Sequence, residues 1–284
     1  MSAARRGQGV SASTARAAAI FALVVAAASP AAARAAPDPG AVPSASPSGS
    51  PAASDGPLVV VDAGHGGDKT GAKTRAGVNE KDVTLAVARA AKAKLEALGF
   101  RVIMTRDDDV DVKLADRILR ANRERAAVFV SIHANWSPVP SRSGVETYIL
   151  SADASDEDAQ AVLHLENDEG EADTGGGKRA DGGDLSFILG DLERTQAHQD
   201  AAKLAKAVQA AVSGVKGLGP SRGLRQAPFL VLRGAEMPAI LVELGYLSNA
   251  AQGALLAGEA TQQAAGEAVA RGVAAFAKAR RSTR

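Results

Sequence analysis

The 284-residue chain has no cysteine, which removes disulfides, thiolate nucleophiles and Cys-type zinc sites together. Any metal it binds must therefore be held by His, Asp or Glu. No basic cluster with interleaved aromatics is present, so nothing points to a nucleic-acid partner. No apolar run reaches the roughly 20 residues that a membrane span needs. The "GHGG" of residues 64–67 superficially resembles a phosphate loop, but it lacks both the G-x-G-x-x-G and the G-K-[ST] spacing. A nucleotide-binding α/β domain loses its main support with it.

The chain begins with Arg5, Arg6 and Arg16, then the short apolar run Ala17–Ala28, then a small-x-small site at Ala33-Arg34-Ala35. This is the anatomy of an export signal, so residues 1–35 are read as a leader. Without its four arginines, 29 basic residues face 32 acidic ones, a net charge of −3. The Pro/Ser/Gly-rich residues 36–56 cannot bury a core and read as a linker. Residues 57–281 are then one folded domain, with 151–184 as an insert.

Within that domain, "PLVVVDA" is a continuous β-branched run and predicts a buried strand. Asn79 is placed to cap a helix over "EKDVTLAVARAAKAKLEAL", and Gly99 to end it. "FRVIMTR", "VFVSIHAN", "GVETYIL", "FLVLR" and "PAILVELG" are the other strand candidates. The segment "VKLADRILRANRERA" reads as a helix with Leu114, Ile118 and Leu119 inward. A long helix is expected over "LSFILGDLERTQAHQDAAKLAKAVQAAV", and another from about Asn249 to Ala279. The insert carries nine acidic residues and no Lys or Arg between Asp153 and Asp173, with a helical turn or two around "AQAVLHLEND". Strands alternating with helices predict an α/β sandwich on a largely parallel or mixed sheet.

Three polar residues fall at the carboxyl ends of strands, where such sheets place their sites. His65 follows "LVVVDAG", His133 follows "VFVSI" and Glu243 follows "PAILV"; Glu80 opens the helix after the glycine loop. Taken singly, each has a plain explanation. A histidine in a glycine loop can be structural, and a glutamate in a first helical turn suits the helix dipole. Glu243 has less excuse, because a carboxylate buried at a strand end without a partner is costly. Jointly, two imidazoles and a carboxylate form a standard protein set for a catalytic zinc with an open fourth position. His164 and His198 lie in acidic or polar helical surroundings and read as solvated. Trp136 suits a loop plug as well as a groove wall.

The segments "VVVDAGHGG", "NEKDVTLAVA", "GFRVIMTR", "LADRILRAN", "VFVSIHAN", "GVETYIL" and "RQAPFLVLRGAEMPAILVELGYLSN" resemble the zinc-dependent N-acetylmuramoyl-L-alanine amidases, the cell-separation subgroup in particular. The resemblance runs from roughly Pro57 to Ala279. It implies a mixed, about six-stranded sheet with helices on both faces. It makes His65, Glu80 and His133 zinc ligands and Glu243 the catalytic glutamate. The implied reaction cuts the amide between N-acetylmuramic acid and L-alanine in peptidoglycan, during wall remodelling or daughter-cell separation. With the leader, this leads to the expectation of an exported protein of the periplasm or cell wall, working as a monomer. Residues 151–184 resemble a regulatory insert that blocks the site until an activator protein displaces it, with a carboxylate such as Glu166 filling the metal's open position; several neighbouring carboxylates would serve as well, and Glu166 can equally belong to a solvated acidic loop. One departure is Ala63, where the family commonly has proline before Gly-His. The rival from another class is a non-catalytic peptidoglycan-binding or regulatory protein on the same scaffold.

Overall fold

The computed structural model describes residues 56–173 and 192–282. The proposed leader, linker residues 36–55 and insert residues 174–184 lie outside the described residues. The elements run β1 (Leu58–Ala63), α1 (Glu80–Ala97), β2 (Arg101–Met104), α2 (Leu114–Arg123), β3 (Val128–Asn135), β4 (Val145–Leu150) and α3 (Glu157–Asp173). They continue with α4 (Leu192–Ser213), β5 (Ser221–Ala227), β6 (Ala239–Tyr246), α5 (Ala250–Leu256) and α6 (Glu259–Ser282).

The six strands form one sheet in the order β2-β1-β3-β6-β4-β5. The pairs within β2-β1-β3-β6 are parallel, and so is β4 with β5; β4 runs antiparallel to β6. The sheet is therefore mixed, as expected. β4 starts on the edge where β1, β3 and β6 finish, which brings its second residue, Glu146, opposite Glu243. Every residue of β1, β3 and β6 is buried, because helices cover both faces. On one face α1, α4 and α6 pack Val87, Leu95, Leu204, Val208, Val269 and Val273 with Val59, Val61 and Val130. On the other, Ile118 of α2 and Val162 and Leu163 of α3 join Val60, Phe129 and Tyr148.

Four expectations change. The fifth strand is the polar "SRGLRQA", while "FLVLR" holds only a 3-10 turn at Leu230–Leu232. An edge strand faces water, so it escapes detection by hydrophobicity. In α2 the inward residues are Arg117, Ile118 and Ala121, whereas Leu119 is 51% exposed. The C-terminal helix is two helices, broken around Gly258. Finally, the acidic insert holds a 17-residue helix, α3, rather than a turn or two. Asn79 occupies the N-cap of α1 as expected, but its side chain makes no capping hydrogen bond.

Candidate metal centre

The chain leaves β1 through Gly64 and His65, and His65 takes a left-handed φ of 59°. A non-glycine residue held there is strained and must be over-determined by its surroundings. The cause lies beneath it. Arg117 donates to the carbonyls of Ala63 (2.7 Å) and His65 (2.9 Å) and to Asp62 Oδ1 (2.8 Å). Arg106 donates to the carbonyls of Ala63 (3.0 Å) and Gly64 (2.8 Å). Thr105 and Ser131 also donate to Asp62, at 2.5 and 2.6 Å. Burial opposes ionisation of Asp62, but Arg117 and then the two hydroxyls outweigh it and hold the carboxyl below its ordinary value. Hydrophobic pattern alone does not reveal these two arginines. The available signal was Asp62 itself, a charge at the end of an apolar strand that demands a partner.

The glycines serve close approach. A Cβ on Gly64 would overlap the His133 imidazole, and one on Gly71 would lie 2.5 Å from Glu80 Oε2 and 2.7 Å from His65 Cδ2. Side chains at either place would push the donors apart.

The fold brings His65, Glu80 and His133 together. Glu80 Oε1 lies 2.9 Å from His65 Nε2 and 3.2 Å from His133 Nδ1. Backbone amides aim this carboxylate: Ala134 donates to Oε1 and Ala72 to Oε2, at 2.8 and 2.9 Å. Glu80 thus reaches inward from the first turn of α1 and is buried. Glu166 of α3 joins the group, its Oε2 2.6 Å from His133 Nδ1 and 3.6 Å from His65 Nε2. One donor atom from each of the four lies within 4.8 Å of the others.

The charges are arranged for a cation. Burial disfavours the charge on Glu80, yet His65 and His133 overcome it and hold the carboxyl well below the usual range. Burial alone would lower the His133 imidazole, but Glu166 and Glu80 push it up to about 10. The His133 Nδ1 and Glu166 Oε2 atoms are buried without a hydrogen bond. Close pairs in the group span 2.6–3.6 Å, bracketing the ~3.4 Å edge of a tetrahedron with ~2.1 Å zinc bonds. The donor set fits zinc.

Glu243 faces the same site from the middle of the sheet, paired with His133 on one side and Glu146 on the other. It is fully buried, and neither carboxylate oxygen has a hydrogen bond. Burial first, then the charges of Glu166, Glu80 and Glu146, push its carboxyl well above the ordinary value, with His65 opposing. A cavity of about 470 Å³ opens beside the donors, lined by His65, Thr70, Glu80, Trp136, Leu165 and Glu166. Trp136 is therefore a groove wall, and it is 42% exposed. His164 is exposed and His198 half-buried, both outside the cluster.

A family model described as N-acetylmuramoyl-L-alanine amidase matches residues 59–275. The amidase AmiC of Neisseria meningitidis is 38% identical over 218 residues, covering 76% of this chain and 52% of that protein. AmiA of Escherichia coli is 33% identical over 221 residues, covering 77% of this chain and 75% of that one. The chain thus spans about half the length of the first and three quarters of the second. Among solved structures, the amidase AmiC2 of Nostoc punctiforme superposes with a TM-score of 0.59 at 30% identity, over 78% of this chain and 97% of that one. The catalytic domain of the amidase CwlV from Bacillus (Paenibacillus) polymyxa gives 0.59 at 28% identity, over 78% and 98%. Sequence match and superposition agree: the chain belongs to the N-acetylmuramoyl-L-alanine amidases, the family that cuts the amide joining N-acetylmuramic acid to L-alanine in peptidoglycan.

Proposed function

We propose that this chain is an exported, zinc-dependent amidase of the cell wall whose α3 helix holds it inactive. His65, Glu80 and His133 would hold the ion, Glu243 would move the proton, and Glu166 would occupy the fourth position. The observation that carries the reading is the convergence of four buried donors within 4.8 Å. When bound, zinc supplies Lewis acidity toward the scissile carbonyl and makes a water nucleophilic near neutral pH.

The protein's own part is proton transfer and orientation. Glu243 takes the proton from the attacking water as oxygen bonds to the carbonyl carbon. It then returns that proton to the L-alanine nitrogen as the C–N bond breaks. An amine leaves poorly without this proton, and general acid–base assistance contributes ~10²–10⁴ in rate. Low-dielectric burial suits the role, because it lifts Glu243 toward a value where it can both accept and donate. The backbone amides of Ala72 and Ala134 keep Glu80 from rotating away.

A catalytic zinc needs an open position, and four protein donors close it. Glu166 therefore accounts for an inactive resting state. Val162 and Leu163 seat α3, and by the ~1.5–3 kcal/mol scale for each such side chain a partner protein of modest interface can unseat it. An activator, export through the leader and action as a monomer in the periplasm or wall belong to the same proposal. Among the described residues no helix is long and apolar enough to cross a membrane.

The test combines metal analysis with wall digestion. Purified protein should contain one zinc, lose activity to a chelator and regain it with added zinc. Glu243→Gln should keep the zinc and the binding to sacculi while dye release from labelled wall falls by ~10²–10⁴. Wild-type protein that binds sacculi and never releases dye, even with α3 displaced, would instead establish the non-catalytic binding protein.

A further inference from the structure

The start of α3 is fastened away from the metal donors. Asp158 lies 2.7 Å from Arg142 Nη1 and 2.9 Å from Arg222 Nη2, with Arg225 Nη2 at 4.0 Å. Asp156 pairs with Arg225. Arg222 also bonds the buried Glu146, and Arg225 Nε stands 3.6 Å from the same carboxylate without hydrogen-bonding anything. The hydroxyls of Tyr148 and Tyr246 donate to Glu146 as well. Three guanidinium groups thus meet three carboxylates, two of which belong to the α3 end. With α3 lifted, Arg142, Arg222 and Arg225 face only Glu146, leaving two positive charges in excess.

With α3 lifted, the strip of sheet beneath Ala159, Val162 and Leu163 would form a trough between the cluster and the metal donors. In register, His133 pairs with Glu243, Glu243 with Glu146, and Glu146 with Gly223 beside Arg222. Three strand spacings make about 14 Å. Along the helix, Asp158 and Glu166 are eight residues apart, about 12 Å. Ala159, Val162 and Leu163 fill the stretch between, in one apolar cluster with Tyr148 and Phe229. A chain at ~3.3 Å per residue covers that distance in about four residues, fewer when a side chain supplies the last reach.

We propose that this trough is the stem-peptide subsite, and that Arg142, Arg222 and Arg225 receive a carboxylate of an acidic peptide. Asp156 and Asp158 imitate that carboxylate while α3 is seated. Planar guanidinium forks match carboxylates in geometry and charge, which suits them to this task over a neutral glycan. The inference rests on α3 being a removable cover over an amidase site.

The probes are L-Ala-γ-D-Glu-L-Lys-D-Ala, whose four residues span that distance, and the same peptide with its C-terminal carboxylate amidated. Their binding is followed by calorimetry. The released protein is the full chain with Asp156→Asn, Asp158→Asn and Val162→Asp, its release checked by proteolytic nicking of α3. It should bind the acid at least about tenfold more tightly than the amide. Wild type should bind the acid at least about tenfold more weakly than the released protein does. Adding Arg142→Gln, which does not touch Glu146, should cut the acid preference to below about threefold. Equal binding of acid and amide by the released protein overturns the subsite. Dye release from labelled wall by the same protein separates the two ideas: selective binding without release fails the catalytic reading alone, and release without selectivity fails the subsite alone.

Discussion

Two arginine–carboxylate clusters flank the metal donors, and they are built in opposite ways. Beneath His65, Arg117 and Asp62 are sealed from water, with side chains 2% and 0% exposed. Most of the bonds of Arg117 and Asp62 hold β1 and the glycine loop, and Arg117 Nε also donates to the carbonyl of Val112. Above the donors, Arg142, Arg222 and Arg225 hold Asp156 and Asp158, whose side chains are 46% and 30% exposed. The first cluster defines a backbone conformation that strain would otherwise undo. The second fastens the helix that the proposed function requires to come away. Charge pairs closed to solvent set a geometry, and those open to it make a reversible contact.

The largest break in this contrast is Arg117→Ala. It leaves Asp62 buried without its guanidinium and should cost ~3–5 kcal/mol, read as a lower urea midpoint with loss of stoichiometric zinc. Arg117→Ala protein of unchanged stability would mean the lower cluster is no more structural than the upper one. Next comes Glu166→Ala, which opens the fourth position. Dye release should rise about tenfold with zinc content unchanged, as expected when nine tenths of the molecules rest closed.

A third effect is acid sensitivity. The folded value of Asp62 lies below its ordinary 3.8, so its contribution to stability is full above that pH. It is lost as pH falls through the folded value, because the unfolded chain binds the proton first. The urea midpoint should therefore drop on acidification below pH 3.8, and Asp62→Asn combined with Arg117→Met should flatten part of that drop. The smallest effect is Asp158→Asn in the upper cluster. It should weaken the seating of α3 by ~0.2–1 kcal/mol, seen as a severalfold rise or less in dye release with an unchanged melting temperature. Raising salt in the wild type should act in the same direction, since partly exposed pairs are screened.

The donors were legible in the chain because each has a strong local signature. His65 sits in "AGHGG", His133 ends an apolar strand, and Glu80 begins a periodic helix. Their neighbours were not. Arg117 lies on α2 between residues that suggested an inward leucine at 119; the guanidinium claims the inner face because Asp62 needs it, and Leu119 turns to solvent. Glu146 in "GVETYIL" is significant only because β4 runs antiparallel to β6 and meets Glu243 there. Strand β5 escaped notice because an edge strand of Ser, Arg and Gln carries no hydrophobic signal.

What the sequence determined by itself was the kind of chemistry. A chain without cysteine that ends apolar strands in histidine and glutamate can offer a metal only nitrogen and oxygen donors, and local pattern places them on one edge of a sheet. Only the tertiary structure decided that Glu166 lies within 2.6 Å of His133, and that three arginines from β5 and the β3–β4 connection face the carboxylates of the same helix. Those contacts join residues distant in the chain, and nothing local marks such a pair until strand order and helix packing bring it together.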